Sequence, residues 1–227
     1  MTLLKPLWVT FLALQVALMS GVVSGACDVA VTDIQGNLHY IVGHGDGTFG
    51  PPVVVGTVSG PYDLGVGLGD FDRDGDLDIV VGEGNGIVSL FVNDGTDHFA
   101  KTTASSMAAS GIATDPFAVA DFNNDGWLDI VGSYHWEPST DSGQFDVFTN
   151  NQDGTFTRSS IAHSIGDLTP GKGAGDFNND GNQDFVAVRY HASNVYLYLG
   201  NGGGSFAGGL AFSFPNTETP ALVAADF

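Results

Sequence analysis

The chain has 227 residues, of which 43% are hydrophobic and only 14% are charged, a composition that favours a folded core over disorder. Its net charge of −20 repels nucleic-acid phosphates and anionic membrane surfaces. We therefore expect the chain to bind cations and not to bind nucleic acid. The single cysteine, Cys27, excludes an internal disulfide framework and a zinc site built only of thiolates.

Residues 1–26 are predicted to be a secretory signal peptide. Lys5 gives the segment a positive start, Leu7–Met19 form an apolar centre, and Ser24–Ala26 form a small-residue cleavage site. A membrane-spanning helix is the alternative, but the apolar run that ends at Val23 has 17 residues, some of them polar, and is short for a bilayer. We therefore expect a secreted mature chain without a transmembrane span.

Cys27 leaves a second localisation open. It directly follows Ser24–Ala26, which resembles a bacterial lipoprotein signal in which the cysteine is lipidated, although Ser24 stands where that family prefers Leu or Val. The alternative is thus a chain that is lipid-anchored to the cell surface through Cys27.

The mature chain, residues 27–227, repeats itself about every 50 residues. One element reads GDFDRDGDLDIVVG at 69–82, ADFNNDGWLDIVGS at 120–133 and GDFNNDGNQDFVAV at 175–188. A second element, which ends in Gly-Thr-Phe or a variant of it, recurs at 40–49, 90–99, 147–156 and 197–206. The approximate units are therefore 27–59, 60–110, 111–165 and 166–219, and a further unit starts at 220–227.

Each unit is predicted to be all-β. Short runs rich in Val, Ile, Phe and Tyr are bounded by Gly, Asn and Asp clusters, as in Leu128–Ser133 and Phe145–Thr149. The Asp-Gly pairs of the second element, such as Asp153–Gly154, suit hairpin turns. About four strands fit in one unit, and a tandem array of such units is typical of a β-propeller, whose blades must stack to bury both faces.

The first repeated element has the donors of a calcium loop. Carboxylate or amide oxygens occupy positions 1, 3, 5 and 9 of each copy, and Gly at position 6 allows a tight turn, so the oxygens can surround one hard cation. The predicted side-chain ligands are Asp70, Asp72, Asp74 and Asp78 in the first copy, Asp121, Asn123, Asp125 and Asp129 in the second, and Asp176, Asn178, Asp180 and Asp184 in the third. The alternative is that these residues only cap turns by local hydrogen bonds.

An EF-hand loop begins in the same way but has an acidic ligand at position 12. Here position 12 is Val81, Gly132 and Ala187, so the closing ligand is at position 9.

The two elements together resemble FG-GAP/VCBS repeats, which form the blades of integrin-alpha-like β-propellers and of many secreted bacterial proteins. The resemblance covers nearly all of residues 28–227. It implies about three Ca²⁺ sites, to which the backbone carbonyls of Asp76, Trp127 and Asn182 would contribute beside the side chains above. It also implies a calcium-stabilised module for binding, adhesion or scaffolding.

Two departures from the family concern the ring. The family commonly has seven blades, whereas about four are present, and the first unit has no metal loop because Asp28 already falls at position 9. That unit is also predicted to lack its innermost strand, which Ala221–Phe227 could supply by closing a four-bladed ring. The alternative is that the sequence is the front of a longer chain.

The ligand of such a module is expected at the turns after the second strand of the third and fourth units. The candidates there are Tyr134, His135, Trp136, Tyr190 and His191. Aromatic residues beside His suit a glycan or a protein partner, and the alternative is that they pack between blades.

A polysaccharide-cleaving enzyme, a lyase or a hydrolase, is the alternative function. The clustered aspartates leave no spare carboxylate pair, so we expect no catalysis.

Overall fold

The fold is all-β. The computed structural model describes residues 16–20, 27–33, 35–59, 65–83, 87–106, 117–133, 143–163, 168–189 and 194–213. These ranges contain sixteen strands arranged in four antiparallel sheets of four strands each. In every sheet, strands that follow one another in the chain are neighbours. The prediction of about four four-stranded units is therefore confirmed, and we call the sheets blades 1 to 4.

The strands of each blade are as follows. Blade 1 contains β1 (Val16–Ser20), β2 (Cys27–Thr32), β3 (Asn37–Ile41) and β4 (Val53–Thr57). Blade 2 contains β5 (Val66–Gly69), β6 (Asp78–Gly82), β7 (Ile87–Asn93) and β8 (Phe99–Ser106). Blade 3 contains β9 (Ala118–Ala120), β10 (Asp129–Ser133), β11 (Gly143–Asn150) and β12 (Phe156–His163). Blade 4 contains β13 (Leu168–Gly175), β14 (Asp184–Arg189), β15 (Asn194–Gly200) and β16 (Phe206–Ser213).

Blade 1 differs from the expectation at its first strand. The sequence analysis left this unit without an innermost strand, but the structure pairs Val16–Ser20 with β2, in a register from Val16 opposite Val31 to Ser20 opposite Cys27. The apolar segment Val16–Met19 can occupy this place because the free edge of β2 offers a complete row of backbone donors and acceptors. The segment that was proposed to complete the blade, Ala221–Phe227, lies outside the described residues.

The blades pack face to face. In blades 2 and 3, which each lie between two blades, residues of the inner strands alternate between the two neighbours. In β6, Ile79 belongs to the apolar cluster shared with blade 1, and Val80 to the cluster shared with blade 3. A third cluster joins blades 3 and 4 and contains Phe122, Phe145 and Tyr198. Because β6 is buried on both faces, its sequence after Asp78 is a continuous apolar run, Ile79–Val81.

The second repeated element forms the turn between the third and fourth strands of a blade, as predicted. In three of these turns the threonine hydroxyl donates to the aspartate Oδ1 two residues earlier at 2.6 Å; the pairs are Asp46 with Thr48, Asp94 with Thr96, and Asp153 with Thr155. These hydrogen bonds hold the pKa of each aspartate below its usual range. The turns are therefore closed by the repeated residues themselves.

Within the described ranges, no helix has the length and apolarity needed to cross a membrane.

Candidate metal centre

Each predicted metal loop joins the first strand of a blade to the second. We call residues 70–78, 121–129 and 176–184 loops 1, 2 and 3; they lie in blades 2, 3 and 4. All three have a positive φ at position 4 and at the glycine of position 6, for example 64° at Arg73 and 99° at Gly75. A left-handed conformation at these two positions lets the chain turn tightly, and glycine adopts it without strain.

The aspartate at position 9 holds each loop to its blade. Asp78 is fully buried; its Oδ2 accepts a hydrogen bond from the backbone N–H of Phe71 and its Oδ1 one from that of Asn93, both at 2.9 Å. Asp129 and Asp184 accept the corresponding pairs of backbone N–H groups. The sequence analysis identified these residues as ligands but missed this second role, which fixes the loop relative to the turn between the third and fourth strands.

Asp28 of blade 1 has a comparable arrangement of hydrogen bonds. Asp28 accepts the backbone N–H of Gly43 at 2.7 Å through Oδ1, as Asp78 does with Asn93. Its Oδ2 accepts the hydroxyl of Tyr40 at 2.7 Å, where a metal loop would have supplied a backbone N–H. Asp28 therefore has the contacts of a position-9 aspartate, as the spacing of the repeats predicted, and the Tyr40 hydroxyl takes the place of the position-2 N–H.

Burial raises the pKa of two position-9 carboxylates, Asp78 and Asp129. Desolvation raises the pKa of Asp78 to about 7, against the lowering effect of the N–H donors, and Asp72 and Asp74 raise it further by repulsion. The pKa of Asp129 is raised to about 6, also mainly by burial. A cation at either loop would reverse this penalty, because it favours the charged form.

Loop 1 has the geometry of a cation site. Ligand atoms of Asp70, Asp72 and Asp78 lie within 4.8 Å of one another, and nowhere else in the described ranges do three Asp, Glu, His or Cys residues converge in this way. Asp70 Oδ2 accepts the N–H of Gly75 at 3.2 Å, whereas Asp70 Oδ1 is buried and has no hydrogen-bond partner. A buried carboxylate oxygen without a partner carries a large desolvation cost, which a cation would offset. The residues of loop 1 thus fit a hard metal ion.

In loops 2 and 3, unlike loop 1, both carboxylate oxygens at position 1 accept hydrogen bonds from the loop itself. Both oxygens of Asp121 accept loop N–H groups, from Asp125 at 3.1 Å and from Gly126 at 2.8 Å. The position-3 amide, Asn123, donates to Asp125 Oδ2 at 3.1 Å. Loop 3 repeats this pattern, with the amide of Asn178 donating to Asp180 Oδ2 at 2.8 Å, which lowers the pKa of Asp180. An amide at position 3 therefore relieves the repulsion that remains in loop 1.

Of the remaining predicted site residues, Asp74 and Asp125 lie at the surface, and the five proposed ligand-binding residues are not described. The side chains of Asp74 and Asp125 lie at the exposed outer ends of loops 1 and 2, where each accepts the backbone N–H of the residue two positions later at 2.9 Å. The proposed ligand-binding residues Tyr134, His135, Trp136, Tyr190 and His191 lie outside the described residues.

Stacked four-stranded blades with an aspartate loop after the first strand define a β-propeller-type repeat protein. A family model described as FG-GAP-like repeat matches residues 24–81, 70–132 and 176–227, which together make up more than half of the chain. The chain therefore belongs to the FG-GAP-like repeat family, which points to a module of the binding or adhesion type. No curated protein matches it significantly.

Proposed function

We propose that this protein is a secreted, calcium-binding β-propeller that serves binding, adhesion or scaffolding. The observation that carries the calcium part is the convergence of Asp70, Asp72 and Asp78 within 4.8 Å, together with the buried, unpartnered Oδ1 of Asp70. Every side-chain donor of the three loops is a carboxylate or amide oxygen, and Ca²⁺ is the common biological cation that accepts many oxygen ligands in a flexible geometry.

A structural role for the metal fits the surroundings of the loops better than catalysis. Asp78 and Asp129, whose pKa values burial raises to about 7 and about 6, are fully buried. A polysaccharide, the substrate of the alternative enzyme function, cannot reach a carboxylate in that position. The two acids also accept backbone N–H groups, which fixes them to the fold and leaves them unsuited to proton transfer.

The ligand is proposed to bind at the end of the blades opposite the metal loops. Loop 2 enters β10 at Asp129, and β10 ends at Ser133; loop 3 enters β14 at Asp184, and β14 ends at Arg189. Tyr134, His135 and Trp136 follow the first of these ends and Tyr190 and His191 the second, so we assign them to a surface for a glycan or a protein partner. Trp136→Ala should then abolish capture on a glycan array or in a pull-down and leave calcium-dependent melting unchanged; parallel loss of folding would instead assign Trp136 to packing.

Secretion is proposed from residues 1–26, and the alternative is a lipid anchor on Cys27. Either form of cleavage before Cys27 would remove β1 and leave blade 1 with the three strands β2–β4. N-terminal sequencing and intact mass of the exported protein separate the two. A free N-terminus at Cys27 supports cleavage, and a mass increase from acyl chains supports the anchor. A retained N-terminal segment would contradict both.

Thermal melting tests the calcium function directly. A ligand at a hundredfold excess over its Kd stabilises the folded state by about 2.7 kcal/mol per site, and 1 kcal/mol moves the melting temperature of a chain of this size by about 2–4 °C. We therefore expect melting in excess calcium to be higher than in a chelator by at least about 5 °C, with a smaller effect of magnesium. Equal melting temperatures in calcium and chelator would contradict the proposal.

A further inference from the structure

Neighbouring metal loops contact each other in a repeating way. The guanidinium carbon of Arg73, at position 4 of loop 1, lies 5.5 Å from the ring centre of Trp127, at position 7 of loop 2. The side-chain amide of Asn124, at position 4 of loop 2, donates to Oδ1 of Asn182, at position 7 of loop 3, at 2.9 Å. The residue types differ, but the positions are the same in both contacts.

The donor side of each contact depends on the fold of its own loop. Arg73 and Asn124 have φ values of 64° and 58°, a left-handed conformation that is uncommon for non-glycine residues and that asparagine adopts more readily than arginine. In loop 2 this turn is closed by the N–H groups of Asp125 and Gly126 bonding to Asp121. A loop that opens would therefore also withdraw its position-4 side chain from the next loop.

The receiving side of each contact is a residue with a part in metal binding. Position 7 is where the loop is expected to offer its backbone carbonyl to the cation, here from Trp127 and Asn182. A side chain that holds position 7 in place reduces the conformational freedom which that carbonyl loses on binding.

Glycines next to the contacts leave room for them. A Cβ on Gly202 would lie 2.5 Å from Nδ2 of Asn124 and 2.3 Å from Oδ1 of Asn182, so a larger residue at 202 would displace the hydrogen bond between them. A Cβ on Gly126 would come within 3.4 Å of Nη1 of Arg73, so the guanidinium also lies against the backbone of loop 2. Both contacts are thus packed parts of the loop surface.

We infer that Arg73 and Asn124 are positioning residues that couple the three cation sites in series. Calcium in loop 1 raises the affinity of loop 2 through Arg73 and Trp127, and calcium in loop 2 raises the affinity of loop 3 through Asn124 and Asn182. Linkage makes each effect reciprocal. The inference rests on the proposed calcium function. Because the contacts are largely exposed, we expect the cation–π contact of Arg73 to change affinity by about two- to fivefold and the hydrogen bond of Asn124 by about two- to tenfold.

The Arg73 contact can be measured through Trp127. Three tryptophans occur in the sequence, and one of them, Trp8, lies in the proposed signal peptide. Replacing Trp136 by Phe, and Trp8 as well where that segment is retained, leaves Trp127 as the only tryptophan. In a calcium titration of this parent, Arg73→Asn should raise the midpoint by about two- to fivefold. Asparagine suits this position because loops 2 and 3 carry it there with the same positive φ. Arg73→Lys, which keeps a cation near the ring, should shift the midpoint less.

The sign of the shift separates coupling from simple electrostatics. Removing a positive charge beside an acidic loop would by itself strengthen calcium binding and lower the midpoint. An unchanged or lowered midpoint in Arg73→Asn would therefore overturn the inference for loops 1 and 2.

The second contact has a neutral donor and a matched control. Asn124→Gly removes the amide without straining the positive φ, and Asn179→Gly makes the same change in loop 3, where Asn179 contacts no further metal loop within the described ranges. By isothermal titration calorimetry, Asn124→Gly should weaken one calcium site besides that of its own loop, by about two- to tenfold. Asn179→Gly should affect only its own loop. Equal effects of the two variants would overturn the coupling. Absence of calcium binding to the parent would overturn the proposed function together with it.

Discussion

Phe122 and Phe177 occupy position 2 of successive metal loops, yet Phe122 is fully buried and Phe177 is 45% exposed. Phe122 packs edge-on against Phe206 of the following blade with ring centres 5.2 Å apart, and Phe71 packs in the same way against Phe156 at 6.0 Å. No ring of a following blade covers Phe177 in the described part of the chain. The burial of this residue therefore depends on the next blade and not on its own loop.

The difference between these two residues predicts unequal costs of truncation. Phe122→Ala should lower the free energy of unfolding by about 3–5 kcal/mol, because it leaves a cavity between blades 3 and 4. Phe177→Ala should cost less than about 1 kcal/mol, as surface substitutions do. Urea unfolding in the presence of calcium measures both values, and similar losses for the two variants would contradict this dependence on the following blade.

The hydrogen bonds of Asn150 and Asn93 predict that truncating these two residues has unequal effects on stability. The side-chain amide of Asn150 donates to the carbonyl of Phe71 in the preceding blade at 2.9 Å, whereas the equivalent amide of Asn93 donates to Leu77 of its own blade at 3.3 Å. Asn150→Ala should therefore cost about 1–3 kcal/mol by leaving a buried carbonyl unpaired. Asn93→Ala is the matched control and should cost less; the reverse order in urea unfolding would refute this role of Asn150.

The raised pKa of Asp78 predicts an unusual pH dependence when calcium is absent. The folded state binds this proton more tightly than the unfolded state between the ordinary aspartate pKa of about 3.9 and the folded value of about 7. Stability from this group is therefore present at low pH and is lost as the pH rises through about 7. In a chelator, the melting temperature should fall from pH 5 to pH 8.

Calcium should remove most of that dependence, since the cation replaces the proton as the partner of the buried carboxylate. The stabilisation by calcium should thus be larger at pH 8 than at pH 5. Asp78→Asn, which cannot titrate, should reduce the slope of the chelator profile and leave the smaller part contributed by Asp129, whose pKa is raised to about 6. An unchanged slope in this variant would assign the effect to other groups. Glu83 does not interfere, because hydrogen bonds from Lys101 and Ser89 outweigh its burial and lower its pKa, so it stays ionised across this range.

The sequence predicted the blades because their cause is local. Alternating apolar runs, Asp-Gly turns and the repeated loop are encoded within about 50 residues. The repeat also predicts Asp28 at position 9, where it accepts the backbone N–H of Gly43. Contacts that depend on how blades stack could not be predicted. The hydrogen bond from Asn124 to Asn182, for example, joins residues 58 positions apart in neighbouring blades. The pairing of Val16–Ser20 with β2 was missed for a different reason, because the composition of this segment is that of a signal peptide.

Calorimetric titration of calcium into the metal-free protein tests the central claim most directly. We predict about three sites per chain, the tightest of which is loop 1, because Asp72 supplies a carboxylate where loops 2 and 3 have an amide. Asp72→Asn should weaken that site specifically and make its affinity resemble that of the other two. Absence of calcium binding, or binding whose tightest site is unaffected by Asp72→Asn and by Asp70→Asn, would contradict the assignment of loop 1 as a calcium centre.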